Sequence, residues 1–288
     1  AMADGATAGG AARLEAEAEA LAATGRTGEA ADLYDAALEI RLRELGPADA
    51  SLILLAEAAT RASNHAASAE LRDRSGSDLR NAERRLRRTL AALAEISAAS
   101  WPGAGGGSPG PSPELAPCVN LSLSNLAALH QRQGDKDAAL DCLHEAEALC
   151  QAVPLADAAA THLSLCALLS QLGRHAEAQV HAEQAVSFGE ADIMQLPPLR
   201  QRAGDTVGAA AAAVSLRDKA SALAVAYNNL AVQREFLGQT SECLTLYEKA
   251  VILAEGHMDA DSPLLARLQA SHRHAAQTAE AALQRAAE

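Results

Sequence analysis

The sequence predicts an all-α fold, an α-solenoid built from antiparallel helix hairpins. Three observations support this prediction. Alanine, the residue with the highest helix propensity, fills about a quarter of the 288 positions. Aromatic residues make up only 2% of the chain, so closely packed helices around thin apolar layers are expected. One pattern recurs along the chain: a helical run, a lone glycine and a second helical run.

Four glycines that follow helical runs align the repeats: Gly25, Gly134, Gly173 and Gly238. A glycine adopts the left-handed conformation that ends one helix before the next begins. Small or apolar residues recur at fixed distances from it, where they would let two helices approach closely and leave a face for the next hairpin. These residues stand seven positions before the glycine (Ala18, Ala127, Cys166, Ala231), and five (Ala30, Ala139, Ala178, Cys243), nine (Tyr34, Leu143, Ala182, Tyr247) and twelve (Ala37, Ala146, Ala185, Ala250) positions after it.

This spacing resembles that of the tetratricopeptide repeat family. The stretches "NNLAVQREFLGQ" and "ALEIRLRELGPADAS" (residues 37–51) are most similar to the kinesin light chain-type branch of that family. The resemblance implies a right-handed solenoid with a concave groove lined by the first helix of each hairpin. In this family, asparagines on those helices hold peptide ligands.

The predicted organisation has one degenerate hairpin, two insertions and a C-terminal capping helix. Ser77, Ser262 and Pro263 are expected at helix starts. The Gly/Pro/Ser-rich loop is interpreted as an insertion within one solenoid, with a domain boundary there as the alternative. The expected segments are a disordered N-terminus or cloning remnant (1–10), a repeat-like hairpin (11–45), the degenerate hairpin (46–99), the flexible loop (100–117), two repeats (118–153 and 154–190), an insertion (191–217) whose part after Asp205 is expected to lengthen the next helix, a further repeat (218–256) and the capping helix (262–288).

Composition and motifs argue against several functional classes. The formal net charge of −13 disfavours nucleic acid as a partner. No apolar run reaches the length of a membrane span, and no secretion signal is visible. The five cysteines form no C-x-x-C pair, which favours reduced thiols. A cytoplasmic protein is expected, with association with the cytoskeleton or a cilium suggested by analogy only.

Catalytic and cofactor-binding signatures are also missing from the sequence. It lacks the G-x-S-x-G, H-E-x-x-H and phosphate-binding glycine motifs, so no enzyme activity and no cofactor are predicted. His272 and His274 are two positions apart, which places them on different faces of a helix. No metal site is therefore expected.

Polar and small side chains on the first helix of each hairpin are the candidate peptide-binding residues. Asn125 and Asn229 occupy equivalent repeat positions, and an asparagine amide can both donate to and accept from a peptide backbone. The alternative is that these asparagines brace neighbouring helices. The full predicted groove consists of Leu121, Ser124, Asn125, Ala128, Gln131, Leu163, Ser164, Ala167, Asn228, Asn229 and Val232.

One arginine-rich stretch stands out in this acidic chain. Four arginines follow helical spacing and form one stripe, opposite an apolar face of leucines (Leu79, Leu86, Leu90, Leu93). The stripe is predicted either to meet an acidic partner or to be a solvated helix face. Its members are Arg80, Arg84, Arg87 and Arg88.

The sequence thus favours a non-catalytic adaptor or scaffold that binds an extended or helical segment of another protein in its groove. The alternative is a structural subunit of a larger assembly, for example a cytoskeletal or ciliary one, that acts through self-association or its convex face.

Overall fold

A computed structural model describes residues 4–72, 79–100, 113–155, 157–195 and 206–287. Over these residues the chain forms eleven α-helices and no β-strand, so the all-α prediction is confirmed. None of the described helices is both long and apolar enough to cross a bilayer. The chain divides into two compact units, Ala1–Leu155 and Ala156–Glu288.

The first unit contains three helix hairpins. Each helix packs against the next along the chain, and α3 also contacts α5. Its main apolar core includes the fully buried Leu38, Leu52, Leu93 and Ile96. The helices are α1 (Asp4–Ala23), α2 (Thr27–Leu45), α3 (Leu52–Arg72), α4 (Leu79–Ser100), α5 (Ala116–Gln133) and α6 (Lys136–Ala152).

The second unit contains two hairpins followed by a last helix. Here, too, each helix packs on the next, and α7 also contacts α9. The helices are α7 (Ala158–Gln171), α8 (His175–Met194), α9 (Thr206–Phe236), α10 (Thr240–His257) and α11 (Pro263–Ala287). Ser262 directly precedes α11 as expected, and its backbone oxygen accepts the Ala266 N–H, while its hydroxyl lies 3.9 Å from Met258 Sδ.

The four aligning glycines end helices as predicted, with φ values from 74° to 87°. At Gly134, the turn is closed by hydrogen bonds from Gly134 N to Gln131 O (3.1 Å) and from Asp135 N to His130 O (2.9 Å). The Asp135 side chain then accepts the Ala138 N–H and caps α6. One short segment therefore ends a helix and starts the next.

The sixteen residues at the fixed distances from these glycines are all buried, at most 8% exposed. Twelve positions after each glycine stands an alanine that is 0–1% exposed. A side chain this small lets helix axes approach closely, so the repeat spacing encodes the packing of the hairpins.

Several predicted boundaries differ from the observed ones. Residues 4–10, expected to be disordered, belong to α1. The expected 100–117 loop is shorter at its end, since α5 begins at Ala116, and α8 extends to Met194, into the expected 191–217 insertion. The start of α9 at Thr206 agrees with the expected extension of that helix after Asp205. Residues 101–112, 196–205 and Ser77 lie outside the described residues.

The division between the units lies at Leu155, not at the Gly/Pro/Ser-rich loop. On either side of that loop, α4 and α5 pack against each other within the first unit. The chain leaves α6 through Val153, which is extended (φ −134°, ψ 130°), and continues into Pro154, which cannot prolong a helix.

Candidate interaction surfaces

The open side of α5 carries five of the predicted groove residues. Leu121 is exposed, and the other four, Ser124, Asn125, Ala128 and Gln131, are half-buried. Helical periodicity places them on one helix face, opposite the buried Leu126 and His130. The predicted residues therefore line the accessible stripe of this helix.

Asn125 lies on that stripe and also braces the hairpin stack. Its Nδ2 donates to Asn64 Oδ1 on α3 over 2.8 Å. Asn64 is 2% exposed, and its own Nδ2 donates to Ser122 Oγ over 3.1 Å. The Ser124 hydroxyl donates back to Asn120 O of its own helix. Asn125 therefore braces a neighbouring helix, as the alternative interpretation expects, although its side chain is still partly accessible.

Sequence reasoning missed Asn64 because the α3–α4 hairpin lacks the aligning glycine. A signal was nevertheless present. Asn64 begins "NHA", in which the alanine, Ala66, is buried. The same asparagine-x-alanine pattern occurs at Asn125 and Asn229. Three asparagines therefore mark the equivalent position on α3, α5 and α9.

The second unit exposes the corresponding faces of α7 and α9. On α7, Ala167 is exposed while Leu163 and Ser164 are half-buried, and the Ser164 hydroxyl donates to Ala160 O. On α9, Asn228, Asn229 and Val232 are half-buried. All six predicted residues are thus accessible, and α7 contacts α9 within this unit.

The two asparagines of α9 differ from Asn125 in the hydrogen bonds of their side chains. Asn228 Oδ1 is buried and has no hydrogen-bond partner among the described residues. No hydrogen bond of the Asn229 side chain is found there either, whereas Asn125 is tied to Asn64. A buried acceptor without a partner is costly.

A pocket of about 250 Å³ opens at the α7–α9 face of the second unit. Its floor is apolar and made of small residues, and its rim carries three aspartates and one lysine. Lys219 Nζ lies 3.7 Å from Asp192 Oδ2, which leaves Asp157 and Asp218 without a cation within the described rim. The lining consists of Asp157, Ala159, Ala160, Ala185, Gly189, Asp192, Asp218, Lys219, Ala222 and Leu223.

The predicted arginine stripe lies on the exposed side of α4. Arg88 pairs with Glu39 (2.9 Å) and Arg87 with Glu83 (3.1 Å), so these two are partly neutralised. Arg80 and Arg84 are exposed, and no ion pair is found for either among the described residues. On the opposite side, Leu86 and Leu93 are fully buried and Leu79 and Leu90 partly so, as expected.

Next to this stripe, three helices enclose a buried polar cluster. The Thr89 hydroxyl lies 3.2 Å from Asp35 Oδ1 and 3.1 Å from Ser63 Oγ. Asp35 is 5% exposed, and its Oδ2 is buried without a hydrogen-bond partner among the described residues. Burial raises the pKa of Asp35 to about 7, while the Thr89 hydrogen bond and nearby Arg88 oppose the shift.

The cysteines are reduced, as expected. None of the five forms a disulfide; Cys166 and Cys243 are buried and the other three half-buried. Burial raises the pKa of Cys166 and of Cys142 to about 11. A thiol that remains protonated near neutral pH is a weak nucleophile, so neither is suited to catalysis.

Comparisons with known proteins agree with these repeats. Residues 18–68 and residues 119–191 each match a family model described as tetratricopeptide repeat. Comparison with curated proteins gives no significant match.

One solved structure shows the same fold at low sequence identity, and two others have lower TM-scores. BtubC (BKLC) from P. vanneervenii is 16% identical, with 91% of this chain and 89% of that chain covered and a TM-score of 0.58. Nearly identical TPR-like repeats of a putative kinesin light chain from Podosopora anserina are 17% identical (86% and 96% covered, TM-score 0.47). YrrB, described as a TPR protein with an unusual peptide-binding site, is 15% identical (89% and 90% covered, TM-score 0.45).

The matched segments contain three of the four aligning glycines, Gly25, Gly134 and Gly173, and the asparagines Asn64 and Asn125. Tetratricopeptide repeats form protein-interaction modules, so a protein partner is supported. The chain thus contains segments similar to tetratricopeptide repeats, residues 18–68 and 119–191, in an all-α fold like that of BtubC.

Proposed function

We propose that the protein is a non-catalytic adaptor whose second unit binds a segment of another protein along the open faces of α7 and α9. The pocket at this face is the observation that carries the proposal. Its volume of about 250 Å³ is below the range of about 300–1,000 Å³ typical of small-molecule sites. It suits one apolar side chain of a bound peptide, held against Ala160 and Ala222.

The charged rim of the pocket indicates which type of residue would stand next to the apolar residue in the bound peptide. Asp157 and Asp218 are exposed, and only Asp192 has the Lys219 ammonium nearby. A lysine or arginine beside the apolar side chain would meet this negative charge. Asn228 and Asn229, further along α9, would pair with the peptide backbone, because an amide binds backbone groups without selecting a side chain.

The test begins with the full chain as bait for a phage-displayed library of random peptides. We expect the selected peptides to contain an apolar residue next to a basic one. Binding of a selected peptide is then measured by fluorescence anisotropy against Ala160→Leu, which fills the pocket, and against Asp157→Asn with Asp218→Asn. Ala176→Leu, also exposed but outside the pocket, is the matched control.

The pocket-filling variant is expected to raise Kd at least about tenfold, a loss of about 1.4 kcal/mol. The aspartate variant should weaken binding mainly at low salt, because exposed charges are screened as ionic strength rises. Ala176→Leu should bind like the wild type. Selected peptides that bind Ala160→Leu as tightly as the wild type would refute the pocket as the binding site.

The first unit offers a second candidate surface. Arg80 and Arg84 are exposed on α4, and, unlike Arg87 and Arg88, neither has an ion pair within the part of the chain that the structure describes. An acidic peptide segment is the partner that this pair fits. Charge reversal, Arg80→Glu with Arg84→Glu, should abolish capture of a poly-glutamate peptide, whereas Arg26→Glu, exposed at the α1–α2 turn, should not.

A further inference from the structure

Two histidines meet between the helices of the α7–α8 hairpin. His162 lies on α7 and His181 on α8, and their Nδ1 atoms are 3.2 Å apart. The ring centroids are 5.5 Å apart and the ring planes differ by 25°. His162 is only 5% exposed, whereas His181 is half-buried. The two side chains stand 19 residues apart in the sequence, which hides the pair from motif searches.

The distance between the two nitrogens admits two explanations. One ring can donate its Nδ1–H to the lone pair of the other. Alternatively, both lone pairs can point at one cation. Imidazole nitrogens bind Zn²⁺ at about 2.0–2.1 Å, so two nitrogens on one edge of a tetrahedral site lie about 3.3–3.4 Å apart. The observed 3.2 Å differs from this value by about the tolerance expected of a preformed site.

The surroundings hold the rings in this arrangement. Phe188 stacks on His162 with centroids 5.5 Å apart and ring planes 11° apart. Both histidines lie well inside helices, away from the Gly173 turn that joins the two. A ligand pair that is already oriented loses less conformational entropy when it binds a metal.

We infer that His162 and His181 bind a divalent transition-metal ion of the zinc class through their Nδ1 atoms. Water would complete the coordination, because the accessible side of His181 leaves room for solvent. The ion would link α7 to α8 and so stabilise this hairpin. This site is separate from the peptide pocket, so neither proposal depends on the other.

The test titrates the full wild-type chain with Zn²⁺ by isothermal titration calorimetry, without added chelating buffer. We expect one equivalent to bind, and His181→Gln to raise Kd at least tenfold, in the range found when a zinc-site residue is replaced. The matched control is the double variant His272→Gln with His274→Gln in α11, which should bind Zn²⁺ like the wild type. His162→Gln is the second test variant, with its fold checked by circular dichroism.

Thermal unfolding with and without Zn²⁺ is the second readout, because an ion that binds only the folded chain raises Tm. The wild type and the α11 variant should gain in Tm and His181→Gln should not. Binding that is unchanged in His181→Gln, or no binding by the wild type, would overturn the proposal. The half-buried His181 keeps the test valid even if His162→Gln does not fold.

Discussion

Asn125 Nδ2 on α5 donates to Asn64 Oδ1 on α3 over 2.8 Å, and this hydrogen bond joins two hairpins of the first unit. Both asparagines stand at the same repeat position. Asn64 is almost completely buried, so its amide depends on protein partners, and Ser122 Oγ supplies the second one. The predicted ligand-binding asparagine of α5 is thus also a structural residue.

Replacement of Asn125 by alanine should therefore reduce stability. Asn64 Oδ1 would lose the donor that Asn125 supplies in a buried environment, which costs about 1–3 kcal/mol. Urea unfolding followed by circular dichroism measures this loss. Asn229→Ala is the matched control, because no hydrogen bond of that side chain is found among the described residues, and it should change stability by less than about 0.5 kcal/mol. Equal losses in both variants would contradict the bracing role of Asn125.

The buried carboxyl of Asp35 should make the first unit less stable as pH rises. Burial raises its pKa from the ordinary value of 3.8 to about 7 in the fold. Below pH 4 the carboxyl is protonated in both states, so it costs nothing. Between pH 4 and 7 only the unfolded chain releases the proton, so stability falls through this range, and above pH 7 the penalty is constant.

Asp35→Asn removes this penalty while an amide oxygen can still accept from Thr89. We expect the variant to be more stable than the wild type by about 2 kcal/mol at pH 8, since one pKa unit corresponds to about 1.4 kcal/mol and relaxation reduces the full value. At pH 4 the difference should vanish. Denaturant midpoints at both pH values measure it, with Asp32→Asn, whose side chain is 61% exposed, as control. A difference independent of pH would argue against titration of Asp35.

Two glycine-to-alanine changes should act in opposite directions. Gly134 has φ 87°, which strains a residue with a Cβ, so Gly134→Ala should cost about 1 kcal/mol. Gly256 lies within α10, and a Cβ there would meet no atom within 4 Å, so Gly256→Ala should gain about 0.5–1 kcal/mol. Thermal unfolding should show a lower Tm for Gly134→Ala and a higher Tm for Gly256→Ala. A Tm shift of the same sign in both variants would be inconsistent with the backbone conformations of these two glycines.

The thiol of Cys166 should resist alkylation in the folded protein. Burial raises its pKa to about 11 and excludes the reagent, so its reaction requires opening of the hairpin. Wild type and Cys166→Ser should give the same number of fast-reacting thiols with a disulfide reagent at pH 8. In denaturant the variant should give one fewer. A fast-reacting thiol that disappears from the folded variant would show that Cys166 is accessible.

The repeat geometry was predictable because it depends on local chemistry. A glycine that follows a helical run predicts a left-handed turn, and an alanine at a fixed distance from it predicts close helix packing. The turn at Gly134 and the buried position of Ala146 therefore followed from the sequence alone. The accessible stripe on α5 followed from the same period. These features require no knowledge of which hairpins are neighbours.

The remaining features depend on contacts between distant parts of the chain. Asn64 meets Asn125 across 61 residues and Asp35 meets Thr89 across 54, so no local pattern reports either pair. His162 on α7 and His181 on α8 are 19 residues apart, so no local pattern reports their contact either. The pocket near Ala160 arises only when three helices are assembled, and helical periodicity does not predict its charged rim.

The Asn64 hydrogen bonds bear on how the hairpins find the correct alignment. An interface made of alanines is almost unchanged when one helix slides by a turn past its neighbour, so apolar contacts alone distinguish the shifted arrangement poorly. Such a slide in α5 would separate Asn64 from both Asn125 and Ser122 and leave its amide unsatisfied in the interior. A single buried polar residue can select one alignment over its near-equivalents in helical assemblies. Asn64 thus helps to select one alignment of the helices in the first unit, whereas the alanines mainly allow the helices to pack closely.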